Sequence, residues 1–178
     1  MITNETLLRF KNAFHKHVDS FIFKEDFFQN GIESKREHTI RVAENSRLIA
    51  ESLNMSQEEK VEAEVAGLFH DIGRFSQLFD FKTFVDRKSV DHGELGVNVL
   101  KEKKLLSILS EETRNNIYAA VANHNKAYIA ENLSFSQKHL TKIVRDADKL
   151  DIFKLASQHY QQKHSVRDPA FELGLHEK

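Results

Sequence analysis

Apolar residues recur along this chain at intervals of three and four, the spacing that gathers them on one face of a helix. Leu7, Phe10, Phe14, Val18 and Phe21 predict a first helix from Thr3 or Asn4 to about Lys24. Asn30-Gly31 closes a connection, and Ser34 with Glu37 reads as a capping box opening a second helix. His38, Val42, Asn45, Ile49 and Leu53 share one face of it. Ser56 with Glu59 forms a second capping box, for a helix running to about Phe69 or Ile72. That helix sets Val61, Val65, Leu68 and Ile72 on one face, with Ala63, Ala66, Gly67 and His70 opposite. Apolar on one side and small on the other, it is expected at the centre, with a neighbour close against its small side.

Phe75 to Val90 has no single period and reads as a loop with short helical turns, anchored by Phe75, Phe79, Phe81 and Phe84. Asp91 and Glu94 cap a helix containing Leu95, Val99 and Leu100, and Ser110 caps the next, where Ile117, Val121 and His124 form a stripe. Ser134 or Ser136 begins a last helix that carries Leu140, Val144, Ala147, Asp148 and Asp151 along one side. It is expected to reach about Lys163, ahead of Asp168-Pro169, with a tail from Phe171 that has no clear stop. The pattern is all-α throughout.

Composition agrees and removes several functions. One Pro and six Gly in 178 residues leave few breaks, and 40% hydrophobic with 30% charged residues suits one folded domain over 1–178. A net charge of −1 gives no electrostatic basis for a nucleic-acid or membrane surface. The absence of cysteine excludes disulfides, thiolate zinc sites, iron–sulfur clusters and cysteine nucleophiles. No apolar run spans a bilayer and Met1 to Glu5 is not a signal peptide, so a cytoplasmic location is expected. Phosphate loops, the Gly-x-Ser-x-Gly elbow and the His-Glu-x-x-His zinc helix are all missing.

Ten histidines remain to be sorted. His15 and His17 lie among polar neighbours and read as surface residues, and His139, His159, His164 and His176 receive no role. His38 and His124 sit on apolar stripes, where each alone would be a hydrogen-bonded core histidine. His92 alone would be a solvated residue in a first helical turn. The doublet His70-Asp71 ends the central helix, just before the helix-stopping Gly73, so its carboxylate is deep and needs a positive partner: a metal, or Arg74. Asp148 interrupts an apolar stripe and likewise needs a partner.

Taken in order, these residues resemble the HD-domain superfamily of metal-dependent phosphohydrolases, whose motif is His, then His-Asp, then Asp. The likeness runs from about Ser34 to Leu155. It includes Leu68-Phe69-His70-Asp71-Ile72-Gly73-Arg74 and Asp146-Ala147-Asp148-Lys149-Leu150-Asp151. The resemblance implies a single compact helical domain with a metal site at the centre of its bundle. It implies His38, His70, Asp71 and Asp148 as metal ligands, and matches His92 and His124 to the extra histidines of binuclear members, in which the doublet aspartate bridges two metals. A homodimer is compatible with it. Arg74, Phe75 and Ser76 stand where certain mononuclear nucleotidases of the family carry an acidic catalytic residue, so that mechanism does not transfer.

Two imidazoles and two carboxylates suit one or two divalent cations such as Mn²⁺, Fe²⁺, Co²⁺ or Ni²⁺, with Mg²⁺ also allowed. Such a centre activates water and offsets charge on a phosphoryl oxygen. The expected activity is therefore hydrolysis of a small phosphorylated substrate, with a nucleotide as the leading class. Asp71, Arg74 and Lys149 are the candidate catalytic residues, Arg41 or Lys126 further phosphate contacts, and Asp146 or Asp151 the support of a histidine ligand. Two alternatives stand beside this reading. One is a di-iron oxygenase of the same superfamily, acting on a small polyol or phosphonate; the other is a non-catalytic metal- or nucleotide-binding sensor module.

Overall fold

The computed structural model describes residues 4–161, and every regular element in that range is helical. Helix α1 (Asn4–Val18) buries Leu7, Phe10, Phe14 and Val18 as expected, but stops well short of Lys24: Ser20 folds back, its hydroxyl donating to the His17 carbonyl at 2.6 Å. Helix α2 (Asp26–Ser52) begins two turns before the expected start, so Ser34 and Glu37 are interior helical residues and form no cap. The local capping pattern is overridden because Ile32 is buried and Phe27 and Phe28 pack on the core, which pulls Asn30-Gly31 into the helix. The buried stripe of α2 runs through Ile32, Lys35, His38, Val42, Ser46 and Ala50, whereas Leu53, at its end, is 51% exposed.

Helix α3 (Gln57–Phe69) has the expected capping box, with the Ser56 hydroxyl accepting from Glu59 N–H and the Glu59 carboxylate accepting from Ser56 N–H. It packs against α1, α2, α6 (Glu111–Asn123) and α7 (Phe135–Gln161), which makes it the central helix. A methyl added at Gly67 would lie 2.9 Å from the Ala43 Cα and 3.0 Å from the Val42 carbonyl, so the small face of α3 receives the α2 backbone.

The stretch expected as a loop contains helix α4 (Ile72–Phe81), which buries Phe75 and Leu78 and ends where Lys82 turns left-handed at φ 58°. Gly73 lies inside α4 and stops nothing. It lets the next helix, α5 (His92–Glu102), approach so closely that a Cβ there would lie 2.3 Å from the His92 carbonyl oxygen. Between α4 and α5 lies a 3₁₀ turn, Asp86–Lys88. Phe84 is buried and anchors this connection, while Phe79 and Phe81 stay 42% and 45% exposed. Asp91 and Ser110 cap α5 and α6 as expected, and Ser134 rather than Ser136 caps α7, exchanging bonds with Gln137. Asp168-Pro169, the tail, His164, His176 and the side chain of His159 lie outside the described residues. Among the described residues no helix is long and apolar enough to cross a membrane.

His17 is a correction. It is 5% exposed, packed edge-on against Phe21 and Phe75, and neither ring nitrogen has a hydrogen-bond partner. Burial, aided by Lys103, pushes its pKa down to about 4. The unfolded chain therefore takes up a proton near pH 6.5 that the folded chain refuses until about pH 4, so stability falls as pH drops through that window. His17→Leu is expected to remove up to about 3 kcal/mol of that acid loss, read as flatter urea midpoints between pH 7 and 4. Parallel pH profiles for variant and wild type would show that the ring does not titrate in this way.

Candidate metal centre

Six side chains from four helices and one helix junction meet in the core. His38 comes from the middle of α2, His70-Asp71 from the α3–α4 junction, His92 from the first turn of α5, His124 from the end of α6 and Asp148 from α7. All six are at most 5% exposed. The bland reading of His92 as a solvated residue therefore fails. Two groups of donors emerge, one of His38, His70 and Asp71 and one of Asp71, His92 and His124.

The aspartate divides its oxygens between them. Its Oδ2 lies 3.6 Å from His38 Nε2 and 3.2 Å from His70 Nε2. Its Oδ1 lies 3.3 Å from both His92 Nε2 and His124 Nε2. Asp148 belongs to the first half, its Oδ1 3.2 Å from His38 Nε2 and 3.8 Å from His70 Nε2.

The tautomers follow from the other side of each ring. His38 Nδ1 donates to Asp151 at 2.7 Å and His92 Nδ1 to Asp86 at 2.7 and 2.8 Å. His70 Nδ1 donates to the Gly67 carbonyl at 2.7 Å and His124 Nδ1 to the Val121 carbonyl at 2.8 Å. Carboxylates and carbonyls only accept, so each Nδ1 carries the hydrogen, and the neutral form of each ring, the form that can ligate, turns a bare Nε2 inward. Each half thus pairs one histidine held by a carboxylate with one held by the carbonyl three residues earlier, where its own helix ends.

This donor set fits a divalent cation. His38 Nε2, His70 Nε2 and Asp71 Oδ1 are buried with no hydrogen-bond partner. The Nε2 atoms of His92 and His124 stand 3.0 Å apart with lone pairs facing, an arrangement that repels unless a positive charge lies beside it. Donors bound at right angles to one cation at about 2.1 Å lie about 3.0 Å apart, close to the shorter separations found here.

The one ammonium in the cluster was not anticipated from the sequence. Lys35 is 2% exposed and its Nζ donates to Asp71 Oδ2 at 2.7 Å. It precedes His38 by three positions on the same buried stripe, which is the signal that could have revealed it. Burial opposes ionisation of Asp71, but His70 and Lys35 hold its carboxyl well below the usual carboxylate range. Burial pushes the Lys35 ammonium down, with Asp71 resisting. His70 is lowered by burial, and His92 falls to about 3 through burial and Arg74. Burial and Lys35 oppose a proton on His38, yet the neighbouring carboxylates of Asp148, Asp151 and Asp71 raise it to about 9. Without a cation the cluster therefore gathers a proton on His38, which a bound metal would displace.

The other expected residues separate. Asp151 supports His38 and is gripped by Arg41 through Nε and Nη2 at 2.7 and 3.0 Å, whereas Asp146 is exposed. That grip commits Arg41 away from a phosphate. Lys126 is drawn to Asp91 at 2.6 Å, the N-cap of α5 next to His92, and does not line the cavity. Arg74 spends Nη1 on Gln77, the Phe84 carbonyl and Asp86, and leaves Nε 3.6 Å from Asp71 Oδ1. A small cavity at the cluster is lined by Lys35, Arg74, Asn125 and Ile152 beside the donors, and Lys149, half-buried on α7, does not line it. Asp86 also went unforeseen, since nothing in the local pattern marks a 3₁₀ turn as ligand support. A larger cavity of about 420 Å³, between the N-terminal ends of α3, α6 and α7, shares no residue with the cluster and is lined by Glu58, Glu59, Glu62 and Glu112.

Among known proteins, the model of the family described as HD domain matches residues 36–152. Comparison with curated proteins and with solved structures returned no match. The matched segment opens two residues before His38 and closes one residue after Asp151, so it encloses the whole donor set and the carboxylate that supports it. With that span covered and its helices closing around one buried histidine–aspartate cluster, the chain belongs to the HD-domain family, most of whose members are metal-dependent hydrolases.

Proposed function

We propose that this protein hydrolyses a phosphoester or phosphoanhydride, with a nucleotide as the substrate class that the family resemblance brings. The observation that carries the reading is a buried set of four imidazoles and two carboxylates, of which Asp71, His92, His124 and Asp148 line one cavity with Lys35 and Arg74. Divalent cations held by His38, His70, Asp71 and Asp148, and by Asp71, His92 and His124, would supply Lewis acidity and activate water at neutral pH.

The chain's own residues do the rest. Asp151, Asp86 and two helix carbonyls fix the four rings in the tautomer that keeps each Nε2 bare. Lys35 and Arg74 bring positive charge to the cavity, where a phosphoryl group gains negative charge as it is attacked. Arg74 is anchored through Nη1, so its Nε face stays turned toward Asp71 without reorganisation. The acidic lining of the larger cavity opposes a phosphorylated ligand there.

The test is a panel of nucleoside mono-, di- and triphosphates and simple phosphomonoesters, offered to protein loaded with Mn²⁺, Fe²⁺, Co²⁺ or Ni²⁺. Cation-dependent release of phosphate, pyrophosphate or nucleoside from at least one compound is expected, and a chelator should abolish it. A loaded protein inert toward the whole panel ends the proposal, and oxygen uptake by a two-iron form would replace it with the oxygenase reading.

A further inference from the structure

The two halves of the cluster are built alike but charged differently. Each has a histidine backed by a carboxylate that an arginine holds: His38, Asp151 and Arg41 in one, His92, Asp86 and Arg74 in the other. The first half also owns Asp148, whereas the second has only its share of Asp71. Each Asp71 oxygen also faces a cation, Lys35 at 2.7 Å on the first side and Arg74 Nε at 3.6 Å on the second, so Asp148 is what sets the halves apart.

We infer that Asp86 is the positioning residue that makes the second half able to hold a cation, by fixing the His92 ring and supplying the negative charge that this half lacks. Asp86 sits in the 3₁₀ turn six residues before His92, and both its oxygens reach His92 Nδ1. Three neighbours, two on α4 and one just after α6, hold it there. Arg74 Nη1 and Gln77 Nε2 donate to Oδ1, each at 3.0 Å, and Asn125 Nδ2 donates to Oδ2 at 3.2 Å. Gln77 is fully buried, and its amide also donates to the Val90 carbonyl, so the turn is tied to the start of α5. A carboxylate behind a ligating imidazole fixes the ring and raises its basicity, and losing one typically costs 10- to 100-fold in metal affinity. In the first half Asp148 cushions such a loss. In the second half nothing comparable remains.

The inference rests on the proposal that the cluster holds two cations, and the experiment separates the two ideas. Full-length protein stripped of metal is titrated calorimetrically with Mn²⁺ alone, and metal content is measured after dialysis. Wild type is expected to bind two ions per chain. Asp86→Asn should keep one ion at wild-type affinity and lose about 10- to 100-fold at the other. Asp151→Asn should weaken the other half instead, and Asp86→Glu, which keeps the charge, should retain two ions. The Asp86 side chain is about one-third exposed, so asparagine there is expected to fold, checked by the metal-free melting curve. If it does not, Asp86→Ser gives the same reading. Two ions at wild-type affinity in Asp86→Asn, or equal weakening of both, overturns the inference. Fewer than two ions in wild type overturns the two-cation proposal itself.

Discussion

Asp71→Ala is expected to empty both halves of the cluster, whereas His92→Ala should empty only one. Each oxygen of this carboxylate faces a different pair of imidazoles, at 3.2 to 3.6 Å on one side and 3.3 Å on the other. Removing it leaves the first half with Asp148 as its sole anion and the second with none among its donors. It also strands the Lys35 ammonium 2% exposed beside four imidazoles, so the half that retains Asp148 meets an unpaired positive charge as well. Elemental analysis after dialysis should therefore fall from about two ions per chain to about zero, and hydrolysis should fall to background. Asp71→Asn, which keeps the shape and one acceptor oxygen, should retain a trace. One ion per chain in Asp71→Ala would mean that the two halves do not share this residue.

Lys35→Met is expected to have opposite effects on the metal-free and metal-loaded protein. Without a cation, Lys35 is the ammonium that answers Asp71, and breaking a buried pair by removing one partner costs about 3–5 kcal/mol. For a chain of this size that is roughly a 10 °C loss in melting temperature. A divalent ion supplies the missing charge, so loading should recover most of the loss, and Mn²⁺ should bind more tightly than in wild type because no ammonium competes for Asp71. Turnover should still fall, since one of the two cations lining the cavity is gone. Equal melting of the metal-free variant and wild type would show that His38 and His70 neutralise Asp71 unaided.

What the sequence disclosed followed from periodicity. The central place of α3 and a close neighbour on its small side are readable from small and apolar residues at helical spacing, and its cap from Ser56 and Glu59; that the neighbour is α2 is not. The order His38, His70-Asp71, His92, His124, Asp148 was readable too, and the structure brings all six together. Where local chemistry competed with packing, packing won. Ser34 and Glu37 look like a cap, but the core takes Ile32 and keeps the helix going. Phe75 and Leu78 lie three apart on α4, a helical signal masked by exposed Phe79 and Phe81. His17 has polar neighbours in sequence but aromatic ones in space, and sequence neighbours say little about a helix's far side. Lys35 and Asp86 were missed because a ligand's support is defined by three-dimensional proximity, and Asp86 reaches His92 from an irregular turn.

Gly67 and Gly73 flank the doublet by three positions on one side and two on the other. Each brings a ligand-bearing helix into main-chain contact with the segment that carries His70 and Asp71. The Gly67 carbonyl also holds the His70 ring, and the backbone pressed against Gly73 is that of His92 itself. Spacing within the centre is thus set by backbone against backbone, a distance that side-chain exchange cannot tune by small steps. Variation in Ile152 at the cavity can then reshape what enters while the donors stay in register. In evolutionary terms the centre is a fixed chassis. New specificity has to be found around it, because any residue larger than glycine at these two positions would shift several donors at once.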